Sequence, residues 1–390
     1  MRIHLVLATA LIACLAAAQA SGRDRFKAPI PVDRLSPKLN PGYHHPLDPE
    51  ANNPRARAER REALASGRLA TLPMWSDTFV VAGQTYPFTL VGTRPRDPVT
   101  TVIPTVIVPI RLTVSDTSVD GKTPVVFDGT RALPSFLGSP IFQNSQFSSG
   151  DLQFADAMLR AEFPKAPPRW HTVFSPTIAP PLDIVAPPGT VKVIQTRSGK
   201  LLAVIQDTSI LDNGRGSPLV TRLKTFSPQT YVVFVTYNAL EHNAFGYHSW
   251  AWTQKKAGVI VYTYTSWLEG VQDAFSVPSP DAATMSHEIA EVVHDPLLTS
   301  MTLLWGDPFR DNHCFQRFIE VGDAVEFAPA RVQLWKQVVA GGDHPGTYTL
   351  QTEALLPWFE RETPSRAQGG AYSFPNVQAL TSAAPLSCVP

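Results

Sequence analysis

The stretch VIVYTYTSW (259–267), followed after a loop by SPDAATMSHEIAEVVHDP (279–296), decides how this chain is read. The first part is β-branched and aromatic with no charge, the composition of a buried strand. In the second, Ser279 suits an N-cap and Pro280 the first helical position, so a helix is expected over 280–295, ended by Pro296. On a helical wheel Met285, Ile289, Val292 and Val293 form one apolar stripe. His287, Glu288, Glu291, His294 and Asp295 share the opposite arc, spanning about 120°. Any surface helix shows a polar arc opposite an apolar stripe, and a solvated face is one account of it. The residue types offer another. H-E-x-x-E has the layout of the zincin H-E-x-x-H motif, in which two ligands one turn apart bind a metal and the residue after the first acts on metal-bound water.

With Glu291 in place of a second histidine, the site gains an anionic ligand. Zinc is the expected metal, and manganese and calcium are the harder-ion alternatives. The third ligand is expected from IEVGD, where Glu320 would be the ligand and Asp323, one turn on, its support or substitute. Asp295 is a further ligand candidate or a cap. His294 is a weaker one, because the helix is expected to unwind before Pro296. His313 beside Cys314 reads as a ligand pair only if that cysteine is free. In FGYHSW, His248 is placed to polarise a substrate carbonyl near the metal, with a half-buried histidine tied to a backbone group as the alternative.

Outward from this segment the pattern stays β-rich. TFVVAG and YPFTLVG flank a turn near Gly83, TVIPTVIVPIRLTV is a long strand, and VKVIQT, LLAVIQ and TYVVFVTY are short ones. GDLQFADAMLRAEF (150–163) has helical spacing, with Ser149 as its cap. The expected fold is α+β and zincin-like, a mixed β-sheet with a metal-binding helix and Pro-rich loops, filling residues 70–390. Before it, 21–69 reads as a Pro/Arg-rich N-terminal segment with a helix bracketed by Asn53 and Gly67. Residues 1–20 have the layout of a signal peptide ending Ala18-Gln19-Ala20, which implies a secreted or periplasmic product. Alternatively, Leu11-Ile12-Ala13-Cys14 is a lipobox, and Cys14 would carry a lipid anchor. No other stretch approaches the roughly 18 apolar residues of a membrane span.

Across 390 residues, 33 Lys+Arg balance 33 Asp+Glu, which removes the basic surplus that nucleic-acid binding needs. Charged residues are only 17% and prolines number 37, against both a disordered polyampholyte and a coiled coil. Besides Cys14, only Cys314 and Cys388 occur, and in an exported chain they are expected to form a disulfide, two free thiols being the alternative. Signatures of serine nucleophiles, P-loops, dinucleotide sites and C-x-x-C redox centres are absent.

The string SHEIAEVVHDP, with the Trp305-Gly306-Asp307 turn and E-V-G-D after it, resembles the H-E-[LI]-A-E-x-x-x-D-P and E-I-G-D-L-C motifs of plant EXORDIUM (phosphate-induced) proteins and of related secreted bacterial proteins. The bacterial set is the nearer, similar also in TLPMWSDTF, YPFTLVGT, IPTVIVPI, SPIF, GYHS, YTLQTEALLPWF and GGAYSFPN, over roughly residues 70–390. This resemblance picks out His287, Glu288, Glu291, Asp295, Glu320, Asp323 and His248, and gives His294 no ligand role. The chain departs from it in lacking the cysteine after E-V-G-D; Cys314 lies upstream instead. The plant members are extracellular growth-response proteins. The expected function is a secreted metal-dependent hydrolase, a peptidase in the first instance, acting on a peptide or cell-wall substrate, with His287, Glu291 and Glu320 as ligands and Glu288 as general base. Its rival is a non-enzymatic extracellular or cell-wall protein with a structural metal site.

Overall fold

The computed structural model describes residues 62, 69–118, 123–212, 216–242, 244–253, 257–275 and 279–390. The expected signal peptide, the acylation site Cys14 and the helix bracketed by Asn53 and Gly67 lie outside the described residues, as does all of 21–69 except Glu62 and Leu69.

Strands and helices combine around a mixed sheet, an α+β arrangement. The sheet runs in the order Gly246–Trp252, Val259–Trp267, Tyr231–Tyr237, Thr100–Ser118, Pro124–Asp128. Tyr231–Tyr237 is parallel to both of its neighbours, while Gly246–Trp252 and Pro124–Asp128 are antiparallel to theirs. His171–Ile178 and Leu182–Ala186 add parallel pairings to the long strand. That strand carries Pro104 and Pro109, residues that cannot donate to a ladder. Both fall at changes of neighbour: pairing with Tyr231–Tyr237 begins at Thr105, and pairing with Leu182–Ala186 begins at Ile110.

Both faces of the sheet are covered, which is why its central strands read as continuous apolar runs. Side chains sort by parity. Tyr231, Val233, Val235, Val259 and Val261 enter one core, whereas Val232, Phe234, Ile260, Tyr262 and Tyr264 enter another on the opposite face. Met285, Ile289, Val292 and Val293 of the motif helix join the first core. Trp250 belongs to that core too, and His248 shares its parity, so the imidazole stands on the helix side of the sheet.

The motif helix spans Ala283–His294, three residues shorter at its start than Pro280 implies. Asp281 takes a left-handed φ of 40°, which a helix cannot include. Its carboxylate accepts from the backbone amide of Thr349, 2.6 Å away, and from the Thr349 hydroxyl at 3.0 Å. A tertiary contact therefore sets the start, and Ser279 Oγ pairs with Thr284 Oγ1 instead of capping. The segment 150–163 also differs from its reading. A short hairpin, Ser145–Phe147 with Gly150–Leu152, precedes a helix confined to Phe154–Glu162. Ser149 Oγ donates to the Ala157 carbonyl and caps nothing. Among the described residues no helix is long and apolar enough to cross a membrane.

Cys314 and Cys388 form the disulfide, 74 residues apart, so Cys314 is no metal ligand and the His313–Cys314 pair dissolves. The C-terminal tail is held beside it by Cys314 N–H to the Val389 carbonyl at 2.7 Å and Val389 N–H to the Asn312 carbonyl at 2.8 Å. Closing a loop of this length constrains the unfolded chain by about 4 kcal/mol in the entropic account. Replacing both cysteines by serine is expected to lower unfolding stability by a few kcal/mol in urea titration. The variant should also lose the response to reductant that the wild type shows.

Candidate metal centre

Three segments distant in sequence meet at the polar arc of the motif helix. The helix places His287 and Glu291 one turn apart, His287 Nε2 lying 3.2 Å from Glu291 Oε1. The turn 320–323 brings Asp323 Oδ1 to 3.6 Å from the same Nε2. From the edge strand, His248 Nδ1 lies 3.3 Å from Glu291 Oε2 and 3.8 Å from Glu288 Oε2, and its Nε2 is 3.8 Å from Glu320 Oε2. Two triads of donor atoms result, His287–Glu291–Asp323 and His248–Glu288–Glu291, each close enough to share one ion.

The arc is not a solvated face. Glu288, Glu291, Asp295, Glu320 and His248 are all buried, and only the His287 and Asp323 side chains, 14% exposed each, reach solvent. Close packing is made possible by glycine at two motif positions. A Cβ on Gly322 would lie 2.4 Å from His287 Nδ1, and one on Gly246 would lie 2.9 Å from Glu288 Oε1. The Gly in E-V-G-D and the Gly in G-Y-H-S are thus spaces for the ring and the carboxylate.

The remaining expected residues separate. Glu320 stands by His248, and Asp323 occupies the place next to His287 that was expected for Glu320. Asp295 follows the helix and caps the next turn, Oδ1 accepting from the amides of Thr299 at 2.6 Å and Ser300 at 2.8 Å, with Oδ2 unbonded. His248 is buried rather than half-buried, but it has the backbone tie of the alternative reading, its Nε2 lying 3.2 Å from the Asp295 carbonyl, and its Nδ1 faces carboxylates rather than an open space for a substrate carbonyl. His294 is the last helical residue and has not unwound; it hydrogen-bonds Glu162 at 2.9 Å, seven residues or about 10 Å along the axis from His287. Two acids that the motif reading passes over belong here. Glu353 is buried and, among the described residues, neither of its carboxylate oxygens has a hydrogen-bond partner; nor does the buried Oε2 of Glu326. Each had one signal in sequence: Glu353 is the single acid in TLQTEALLPWF, and Glu326 closes E-V-G-D-A-V-E.

Electrostatics describe a surplus of negative charge in a dry place. Burial raises the carboxyl pKa of Asp323 and of Glu353 to about 8, with Glu291 adding to both, and that of Asp295 to about 7. Burial likewise lifts Glu288, Glu320 and Glu326. Glu291 is the exception: burial pulls its pKa up, but His287 and His248 on its two sides bring it well down. Both imidazoles are destabilised as cations by burial, yet the surrounding carboxylates raise each of them well above the ordinary histidine value.

The histidine–carboxylate spacings here are longer than those of the chain's other such pairs. Elsewhere in this chain His171 meets Asp156 at 2.8 Å and His294 meets Glu162 at 2.9 Å, ordinary lengths for charge-assisted bonds. Here the separations are 3.2, 3.3, 3.6 and 3.8 Å. Ligands about 2.0–2.1 Å from a tetrahedral ion stand about 3.3–3.4 Å apart, so the spacing suits donors around a cation. One feature must change on binding. Gln351 Nε2 donates to the Gly322 carbonyl at 2.8 Å and lies 2.9 Å from His287 Nδ1, an amide orientation that fits a neutral ring with its proton on Nε2 and not the imidazolium that the carboxylates favour. Metal at Nε2 requires Nδ1–H, and so a Gln351 amide turned to present its oxygen.

No family model, curated protein or solved structure matches the chain.

Raised carboxyl and imidazole pKa values both favour the folded, metal-stripped chain at low pH. Their contribution is complete near pH 4 and is lost as pH climbs through about 8, where Asp323 and Glu353 ionise. Glu291, with its lowered pKa, works oppositely, but only below about pH 4.5. In chelator the melting temperature should therefore fall from pH 5 to pH 8, whereas added zinc or manganese should flatten or reverse the trend. A melting temperature in chelator that rises over this range would contradict the charge surplus.

Proposed function

We propose that this is an exported metal-binding protein in which a divalent cation, held by His287, Glu291 and Asp323, ties the motif helix to the 320–323 turn. The supporting observation is the convergence of His287 Nε2, Glu291 Oε1 and Asp323 Oδ1 from two segments at cation-like spacing in a mostly buried site. Export follows from the N-terminal pattern and accords with the disulfide. The kinship with EXORDIUM-like proteins and the zincin-like fold belong to the same proposal and rest on the motifs.

A structural clamp is the reading this burial favours, and with three donors brought together here it needs a fourth to close the site. Peptide hydrolysis is the second reading, favoured by the 14% exposure of both His287 and Asp323, which turns one side of the triad toward solvent. In that reading a bound metal supplies Lewis acidity and lowers the pKa of water. Glu288 would then hold and return the proton, a role suited to its raised pKa but not to its orientation, since its Oε2 faces His248.

Elemental analysis of purified variants tests the site. His287→Ala should lose the metal of this triad, while His294→Ala, whose partner is Glu162, should keep it and lose stability instead. Unchanged metal in the His287 variant would remove the proposal. For the function, a diverse peptide library should remain uncut while chelator lowers the melting temperature. Chelator-sensitive cleavage would establish the hydrolase, and the clamp reading would fall.

A further inference from the structure

We propose that the chain holds a second divalent cation, deeper than the first, between His248 Nδ1, Glu288 Oε2 and Glu291 Oε2, so that the Glu291 carboxylate bridges two ions. The inference deepens the reading of the His287 triad and rests on it for the bridge.

Its starting point is the tautomer of His248. The helix ends at His294, and the Asp295 carbonyl that follows it accepts from the Leu298 amide at 3.2 Å and also lies 3.2 Å from His248 Nε2. A carbonyl only accepts, so Nε2 carries a proton, and in the neutral ring Nδ1 is then a lone pair that a metal can take. Metal-bound histidines are typically arranged this way, with the far ring N–H given to a backbone carbonyl. Nδ1 faces two carboxylate oxygens, Glu291 Oε2 at 3.3 Å and Glu288 Oε2 at 3.8 Å. With the ring neutral and Glu288 ionised these three atoms are all acceptors, and a cation between them would satisfy all three.

An independent observation is Glu288 itself. It is 3% exposed, and its Oε2 has no hydrogen-bond partner among the described residues. A proton on Nδ1 is the competing occupant. It would draw the ring to a carboxylate at the 2.8 and 2.9 Å seen for His171 and His294, and the pairs here stay longer. Gly246 supplies the room, because any Cβ there would press on Glu288 Oε1. Glu291 completes the case by dividing its oxygens, Oε1 toward His287 and Oε2 toward His248. With one nitrogen and two carboxylates, the donor set suits zinc or manganese. Glu288 is in this scheme a ligand, not a base.

The test is a titration of the chelator-treated full-length chain with Mn2+, counting bound ions and recording electron paramagnetic resonance, with elemental analysis after zinc loading as a parallel count. Two ions per wild-type chain with an exchange-coupled manganese spectrum are expected. His248→Gln and His287→Gln should each bind one ion with an uncoupled six-line signal. One uncoupled ion per wild-type chain, lost in His287→Gln but kept in His248→Gln, would overturn the second site and leave the first standing. No ion at all would overturn both. The wild-type count decides the matter even if a variant fails to fold.

Discussion

Burying carboxylates beside one another is costly, because each loses its hydration and repels the next through a medium of low dielectric. Here Glu288, Glu291, Asp295, Glu320, Asp323, Glu326 and Glu353 gather around two imidazoles. Interiors tolerate such a group by protonating its members or by placing cations among them. Protonation answers only part of it: Glu291 stays ionised between its histidines while its neighbours are pushed toward neutrality. Divalent ions would offset part of this negative charge, so that fewer of these carboxyls need to hold a proton at neutral pH.

The surrounding structure keeps this cluster in place. A sheet covered on both faces fixes the edge strand and hence His248, and the apolar stripe of the motif helix anchors the other wall in the same core. Gly246 and Gly322 admit side chains where any Cβ would collide. Gln351 adds a third tie, its backbone amide donating to Ser286 Oγ at 2.7 Å while its side chain reaches both His287 and Gly322. The segments that carry the candidate donors are therefore coupled to the packing of the helix side of the molecule, and any metal binding is expected to be linked to folding.

Much of this was legible in the residues. VIVYTYTSW announced a buried strand through β-branched and aromatic composition, and H-E-x-x-E placed two donors on one turn of helix. The helix start was not legible, because Asp281 is held at positive φ by Thr349, nearly seventy residues away. The burial of the polar arc was hidden for a related reason: a wheel shows which residues share a face, not what covers it. Glu353 and Glu326 were missed because an isolated acid is ordinarily solvated, and only the three-dimensional placement shows both Glu353 oxygens and the Glu326 Oε2 enclosed. The exchange of Glu320 for Asp323 beside His287 likewise depends on the path of the 320–323 turn, not on its composition.

The central claim, that cations neutralise this buried cluster, is tested most directly by anomalous diffraction from crystals grown with manganese. Density should appear about 2.0–2.2 Å from Glu291 carboxylate oxygens, flanked by at least one of the two histidines. A map with no peak near Glu291, together with carboxyl pairs drawn to short shared-proton contacts of about 2.5–2.7 Å, would contradict it.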